Sequence, residues 1–261
     1  DVMVKGTVTN STGNETGVTV NGMVTTVYNG QFFANHVPLT EGSNTITATA
    51  TDTDGNTATT SIAVNAVTTG NYINITSNIE SGISPLEVTL RIDGSFSITN
   101  STITYTGPAQ PEFLSSSADE YRVRMTVEGI YYFTASVTGP DSNVYQDTVA
   151  VIVLNAAQLD VLLRAKWEAM KAALTAQNVD GAVGYIGEQS REKYRTIFNA
   201  LISRLPQIAS GMENIQLIYL SDAIAKYRIR RNETYGGQTY AITYYIYFNV
   251  GSDGIWWIDS F

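Results

Sequence analysis

A single histidine, His36, stands among 261 residues. Imidazole is the side chain best suited to proton transfer near neutral pH. His36 sits in Ala34-Asn-His-Val37, a strand-like run, and reads as a strand-surface residue. The absence of cysteine removes disulfides, thiol nucleophiles and thiolate metal sites. What remains for acid–base chemistry is the carboxylates and phenols of the C-terminal third: Asp222, Asp259, Glu188 and Tyr185, with Tyr219, Tyr227, Tyr244, Tyr245 and Tyr247 on strand-like segments. An Asp base beside a Tyr donor is a workable pair. Tyrosines alternating along a strand are also what a half-buried sheet requires, and that reading is preferred. No phosphate loop, nucleophile elbow or metal-ligand set occurs, so no catalytic residue and no cofactor is assigned.

Two clusters have the composition of binding sites. Asp52-Thr-Asp54-Gly-Asn56 resembles the start of a calcium loop, with Asp52, Asp54 and Asn56 as ligands. No glutamate follows to complete the coordination, and the same string is a natural hairpin turn, which is the preferred reading. Lys226, Arg228 and Arg230 fall on one face of a strand by its period of two, beside Arg231. With Tyr245 and Tyr247 they form the candidate ligand-binding set, against the plainer reading of a solvated charged face. Asn-x-Ser/Thr strings at Asn10, Asn14, Asn74, Asn100 and Asn232 carry little weight in so threonine-rich a chain.

The elements that position these residues follow from periodicity. Residues 1–67 alternate apolar and polar positions between turn signals at Asn21-Gly22, Asn29-Gly30, Glu41-Gly-Ser-Asn44 and Asp54-Gly-Asn56. Sixteen of them are threonine, whose β-branched side chain suits an exposed pleated face. Residues 68–155 repeat this strand rhythm, with strands expected at 72–76, 86–92, 101–105, 120–127, 129–138 and 145–153. From Asn155 the period becomes helical: Leu159, Leu162, Leu163, Trp167, Met170 and Leu174 share a stripe. A short helix is expected over 181–186. A third is expected from a Ser190 cap to Pro206, its face formed by Tyr194, Ile197, Phe198, Leu201, Ile202 and Leu205. Strands return at 215–220, 223–231, 238–249 and 254–261.

The fold class is therefore multidomain: two all-β sandwiches, then an α+β domain with helices packed on a curved antiparallel sheet. The net charge of −9 divides as −4 over 1–67, −6 over 68–155 and +1 over 156–261. The acidic blocks argue against nucleic acid and for separate modules. No apolar run is long enough to span a membrane. The chain opens on a strand-like run rather than a leader, and reads as a mature or trimmed polypeptide.

The runs Val18-Thr-Val-Asn-Gly22, Gly30-Gln-Phe-Phe-Ala34 and Ala50-Thr-Asp-Thr-Asp-Gly-Asn-Thr-Ala58 resemble bacterial Ig-like repeats over residues 1–66. Ser84-Pro-Leu-Glu-Val-Thr-Leu-Arg-Ile92 with Gly129-Ile-Tyr-Tyr-Phe133 resembles a PKD-type or related Ig-like domain, although the Trp-Asp-Phe-Gly-Asp motif of that family is missing. The Trp167 helix, residues 180–185 and Asp253-Gly-Ile-Trp-Trp-Ile-Asp-Ser-Phe261 resemble the NTF2-like (SnoaL-like) superfamily over about 157–261. These resemblances imply Ig-like spacers at an extracellular or cell-surface location. They also imply an NTF2-like cone without the His–Asp dyad of its catalytic members.

The function expected is that of a non-enzymatic surface structural or interaction protein. Its C-terminal domain would be the contact module, and its partners proteins, copies of itself or a glycan. One form of this expectation is a fibre subunit, with the strands at 2–8 and 255–261 pairing between copies. The alternatives are a small-ligand pocket in the cone, and a glycan-binding accessory region of a secreted enzyme.

Overall fold

A computed structural model describes residues 1–261, the side chain of Tyr235 excepted. The chain divides into two compact units. One is Asp1–Asn155 with Asp253–Ile255; the other is Ala156–Ser252 with Trp256–Phe261.

The first unit holds two β-sandwiches. The N-terminal one is built from β1 (Val2–Thr7), β2 (Thr16–Val20), β3 (Met23–Tyr28), β4 (Gln31–Val37), β5 (Gly42–Asp52) and β6 (Thr57–Ala66), hydrogen-bonded in the order β1-β4-β3-β2-β5-β6. β3 makes the fold close on itself: residues Met23–Thr25 pair with β2, whereas Thr26–Tyr28 pair with β4. Val18, Val20, Phe32, Ala34, Val37 and Ile46 form the core between the two halves.

The second sandwich stacks two four-stranded sheets. One has the order β11 (Glu112–Ser116), β12 (Glu120–Met125), β9 (Leu86–Gly94), β7 (Ile73–Ser77); the other β10 (Thr102–Thr106), β13 (Gly129–Thr138), β14 (Val144–Leu154), β8 (Ser81–Ile83). β13 alternates buried and half-buried along nine residues, and its odd-numbered positions Tyr131, Phe133, Ala135 and Val137 fill the core. Strand β8 escapes the sequence reading because three residues are too few to display a period, and β11 because all five of its residues are exposed and show no alternation of burial.

The charge blocks predict separate modules, and the structure joins them. Phe33, Ala150 and Ile152 form a fourth buried cluster with Met3, Tyr132 and Leu154 around it. Phe33 meets Tyr132 edge-on at 5.3 Å. Asn35, 3% exposed, accepts from the Ala150 N–H at 3.0 Å and donates to the Ala150 carbonyl at 2.9 Å. The connecting stretch is held as well: Glu41 accepts from both the N–H and the hydroxyl of Thr68, at 2.6 and 2.7 Å.

The second unit begins with α1 (Ala156–Thr175), whose Leu163, Trp167, Met170 and Leu174 are buried as the stripe predicts. α2 spans Val179–Val183, with Asn178 capping it by accepting from the Gly181 N–H. α3 runs Glu188–Ala200, starting after Gly187 rather than at a Ser190 cap. It also stops earlier than expected. Leu201 leads into a single 3-10 turn, Ile202–Arg204, and α4 (Leu205–Ser210) follows with Pro206 in its first turn. Proline has no N–H to offer and favours the opening turn of a helix, so Pro206 marks a start, not an end. Ile197, inside α3, and Ile202, past the break, are exposed at 38% and 43% rather than on the buried face expected.

Strands β15 (Gln216–Leu220), β16 (Ile224–Tyr235), β17 (Gln238–Val250) and β18 (Trp256–Ser260) form an antiparallel meander in that order. Gly236 and Gly237, both at positive φ, make the two-residue turn of the β16–β17 hairpin. Ala225, Tyr227, Ile229, Ile246, Phe248 and Ile258 face the helices in one core with Trp167, Tyr194 and Phe198.

Candidate functional site

The period of two that buries Ala225, Tyr227 and Ile229 turns their neighbours Lys226, Arg228 and Arg230 to the opposite face of the sheet. Register then places Lys226 across from Tyr247, Arg228 from Tyr245 and Arg230 from Thr243, with Tyr219 and Gln216 of β15 beyond. All five residues of the candidate binding set thus share one surface. Lys226 Nζ lies 4.1 Å from the Tyr245 ring centroid and 5.3 Å from that of Tyr247. Arg228 Nε donates to Gln216 Oε1 at 3.2 Å. Among the described residues none of these three cations has a carboxylate partner. The adjacent Arg231 differs: it points to the other face, pairs with Glu233 and donates to the Gly211 carbonyl at 3.1 Å. Tyr219, Ile218, Ile224 and Tyr245 are exposed at 45–56% on and beside this face.

This arrangement has defined chemistry. Each cation–ring contact at an exposed site stabilises by about 0.5–1 kcal/mol and holds the lysine in place. The ammonium also occupies the ring faces that a sugar would stack on. What the surface offers outward is a row of fixed positive charge bordered by phenol hydroxyls and exposed apolar area.

Of the acid–base candidates, Tyr185 and Glu188 flank the Ile186–Gly187 segment that bridges to Ile258, next to Asp259, and among the described residues no side-chain hydrogen bond joins the three; Asp222 lies apart. Asp222 lies in the turn between β15 and β16, while Asp259 is on β18, the opposite edge of the sheet. Glu188 opens α3, and Tyr185 packs against the core. Tyr227 instead donates to Asp160 at 2.7 Å; Asp160 also pairs with Arg164 at 2.8 Å, and Arg164 donates to the Ile215 carbonyl. Burial first, then the bond to Asp160, pushes the Tyr227 phenol well above its ordinary range. Tyr227 is fully buried, so this trio is a structural tie from α1 to β16. Sequence reasoning passed over Asp160, which lies 67 residues from its phenol.

His36 is on β4 at φ 53°, with Nδ1 3.2 Å from Asp1 Oδ2. The Asp52–Asn56 string closes as a turn. Asp52 Oδ1 accepts from the N–H groups of Asp54 and Asn56 at 3.0 and 2.9 Å, and Oδ2 from the Asn56 amide at 3.0 Å. Both oxygens that would ligate calcium are therefore engaged by the turn, and the Asp54 carboxylate accepts from Asn14 at 2.7 Å. Among the described residues no three-fold His, Cys, Asp or Glu group suited to a metal occurs.

The Asn56 side-chain bond holds the Asp52 carboxyl below the usual carboxylate range. Because the folded value is depressed, its stabilisation is complete at neutral pH and is lost as pH falls through that lowered value. Asn56→Ala is expected to move the Asp52 carboxyl back up toward the ordinary range, as read by NMR titration of its side-chain carbon. An unmoved titration would show that the bond contributes nothing.

Behind the C-terminal sheet lies a cluster of large aromatic side chains. Trp167, Phe198 and Trp256, at 1%, 4% and 7% exposure, pack into one cluster against Phe261.

No family of related sequences matches the chain, and no curated protein matches it. Among solved structures it is similar to the fibronectin(III)-like modules of Clostridium thermocellum CbhA, at 12% identity over 60% of this chain and 87% of that one, with a TM-score of 0.26. It is also similar to extracellular cadherin domains 1–4 of protocadherin gamma B7, at 15% identity over 53% of this chain and 40% of that one, TM-score 0.23. A third is SGBP-B of the Bacteroides ovatus mixed-linkage glucan utilization locus, in complex with a mixed-linkage heptasaccharide, at 15% identity, 60% and 42% coverage and a TM-score of 0.20. The chain spans less than half the length of the latter two. The β-sandwich assignment itself stands on the strand orders and cores described above. Among the described residues no helix is long and apolar enough to cross a membrane.

Proposed function

We propose that this chain is a non-enzymatic extracellular or cell-surface interaction protein of bacterial type. Ig-like sandwiches, the second of PKD-like kind, carry an NTF2-like domain that contacts an acidic partner protein. The single observation behind this reading is the outer face of β15–β17, where three cations without carboxylate partners lie among exposed tyrosines and isoleucines. Helices followed by a meander, with the helices on one face, support the NTF2-like assignment. Tyrosine and arginine are the residues that protein contact surfaces favour, and desolvating fixed charge against an opposite charge gives orientation. The occupied ring faces favour a protein over a neutral glycan.

The test uses immobilised polyglutamate as the acidic surface, with a glycan array beside it. The intact chain is expected to be retained on polyglutamate. The K226A/R228A/R230A variant is expected to bind about ten-fold more weakly, three exposed charge contacts each contributing a few tenths of a kcal/mol to about 1 kcal/mol. Equal retention of the two proteins, or a preference for neutral glycans, would overturn the reading.

A further inference from the structure

An unpaired strand edge presents a row of N–H and C=O groups to any passing strand, and folded proteins blunt such edges with short length, charge, proline or a bulge. Seven of the eight edge strands here conform. β1 has six residues, carries Lys5 and shifts register between Val2 and Val4. β11, β15 and β18 have five residues each and a register shift against their neighbours. β7 and β10 have five residues and β8 has three.

β6 is the exception. It has ten residues, Thr57-Ala-Thr-Thr-Ser-Ile-Ala-Val-Asn-Ala66, with no charge and no proline. Its register with β5 is unbroken from Gly42↔Ala66 to Thr51↔Thr57. Eight of its ten residues are exposed. Its inner side borders a groove of about 390 Å³ between β6 and β1, floored by Val18, Phe32, Ile46, Ala48 and Ala50. Ile62 lines that groove and is nonetheless 55% exposed.

We propose that β6 is a self-association edge, on which a second copy of this chain pairs its own β6 about a two-fold axis. The proposal stands independently of the contact face on β15–β17. The second copy is identified by charge. In a two-fold pair each side chain meets the same patch of the other chain, so any net charge on the strand opposes its own counterpart. The chain carries −9 overall, and β6 carries none. A neutral edge on an acidic protein is self-complementary, whereas recognition of an oppositely charged partner would need a charged edge. Backbone bonds would continue the sheet across the two-fold axis, and Ile62 of the second copy would lie against the open side of the groove.

Sedimentation of the full chain over a concentration series tests this. The wild-type chain is expected to dimerise, and Ile62→Lys to raise the dissociation constant at least about ten-fold by placing like charges across the pair. Thr60→Lys, at another exposed β6 position, is expected to act alike, so that loss of the isoleucine itself is not the cause. Val144→Lys, at an apolar position 64% exposed and away from this edge, is expected to leave association unchanged. Because the chain has no cysteine, Ser61→Cys near the middle of the strand is expected to give an intermolecular disulfide on oxidation. A chain that stays monomeric at every concentration, or a dimer indifferent to both β6 lysines, overturns the proposal.

Discussion

Asn35→Ala is expected to destabilise the N-terminal unit by about 3 kcal/mol, measured by urea denaturation followed by far-UV circular dichroism. The reason lies in how far β8 reaches. β8 pairs with β14 only at Ile152–Leu154, so the outward N–H and C=O of Ala150 have no strand beside them. The Asn35 amide takes both, at 3.0 and 2.9 Å, in a buried setting. Alanine would leave one donor and one acceptor unmet, each costing roughly 1–3 kcal/mol. Asn35→Asp separates the two bonds: a carboxylate can accept from the N–H but repels the carbonyl, so it is expected to recover none of the second. A loss below about 1 kcal/mol would mean that solvent reaches Ala150 once the amide is gone.

Trp167→Ala should lower the stability of the C-terminal unit by about 3–5 kcal/mol, the usual range for emptying a large aromatic site that cannot collapse. Trp167 is 1% exposed and meets Phe261 edge-on at 5.4 Å. Phe261 stacks on Tyr194 at 4.8 Å, and the Tyr194 hydroxyl exchanges bonds with the Phe261 backbone at 2.9 and 3.1 Å. One deletion therefore removes packing from the helices and from the end of β18. All three tryptophans are in this unit. The fluorescence of Trp256 and Trp257 consequently still reports its unfolding in the variant. A shift no larger than that of an exposed substitution, about 0.5 kcal/mol, would contradict the packing described.

Where structure follows from one element's own period, the sequence shows it. The buried stripe of α1, the odd positions of β13, the Gly236-Gly237 hairpin and the split of Lys226, Arg228 and Arg230 from Arg231 are all readable residue by residue. What depends on two distant elements is not. Phe32 and Phe33 are adjacent, and one faces the core of its own sandwich while the other faces the neighbouring sandwich. That double burial is hinted at by the uninterrupted apolar run Phe32-Phe33-Ala34, but nothing local says what covers the second face. The Tyr227–Asp160 bond and the pairing of Asn35 with Ala150 span 67 and 115 residues. The terminal strands expected to pair between copies, β1 and β18, lie at sheet edges like β6, each with one in-chain partner, but they are short and shifted in register. The unprotected edge is β6, because whether a strand ends a sheet is fixed by topology and not by its composition.

The locked joint between the sandwiches has a consequence of its own. Modules on a free tether sample many relative angles, so the separation between a point on one and a point on the other is a broad distribution, and a ligand touching both must narrow it. Here Phe33, Asn35 and the Glu41–Thr68 clasp remove that hinge. The two modules turn as a single lever. Any epitope that straddles them is preassembled, and its affinity is set by contacts rather than by the likelihood of alignment.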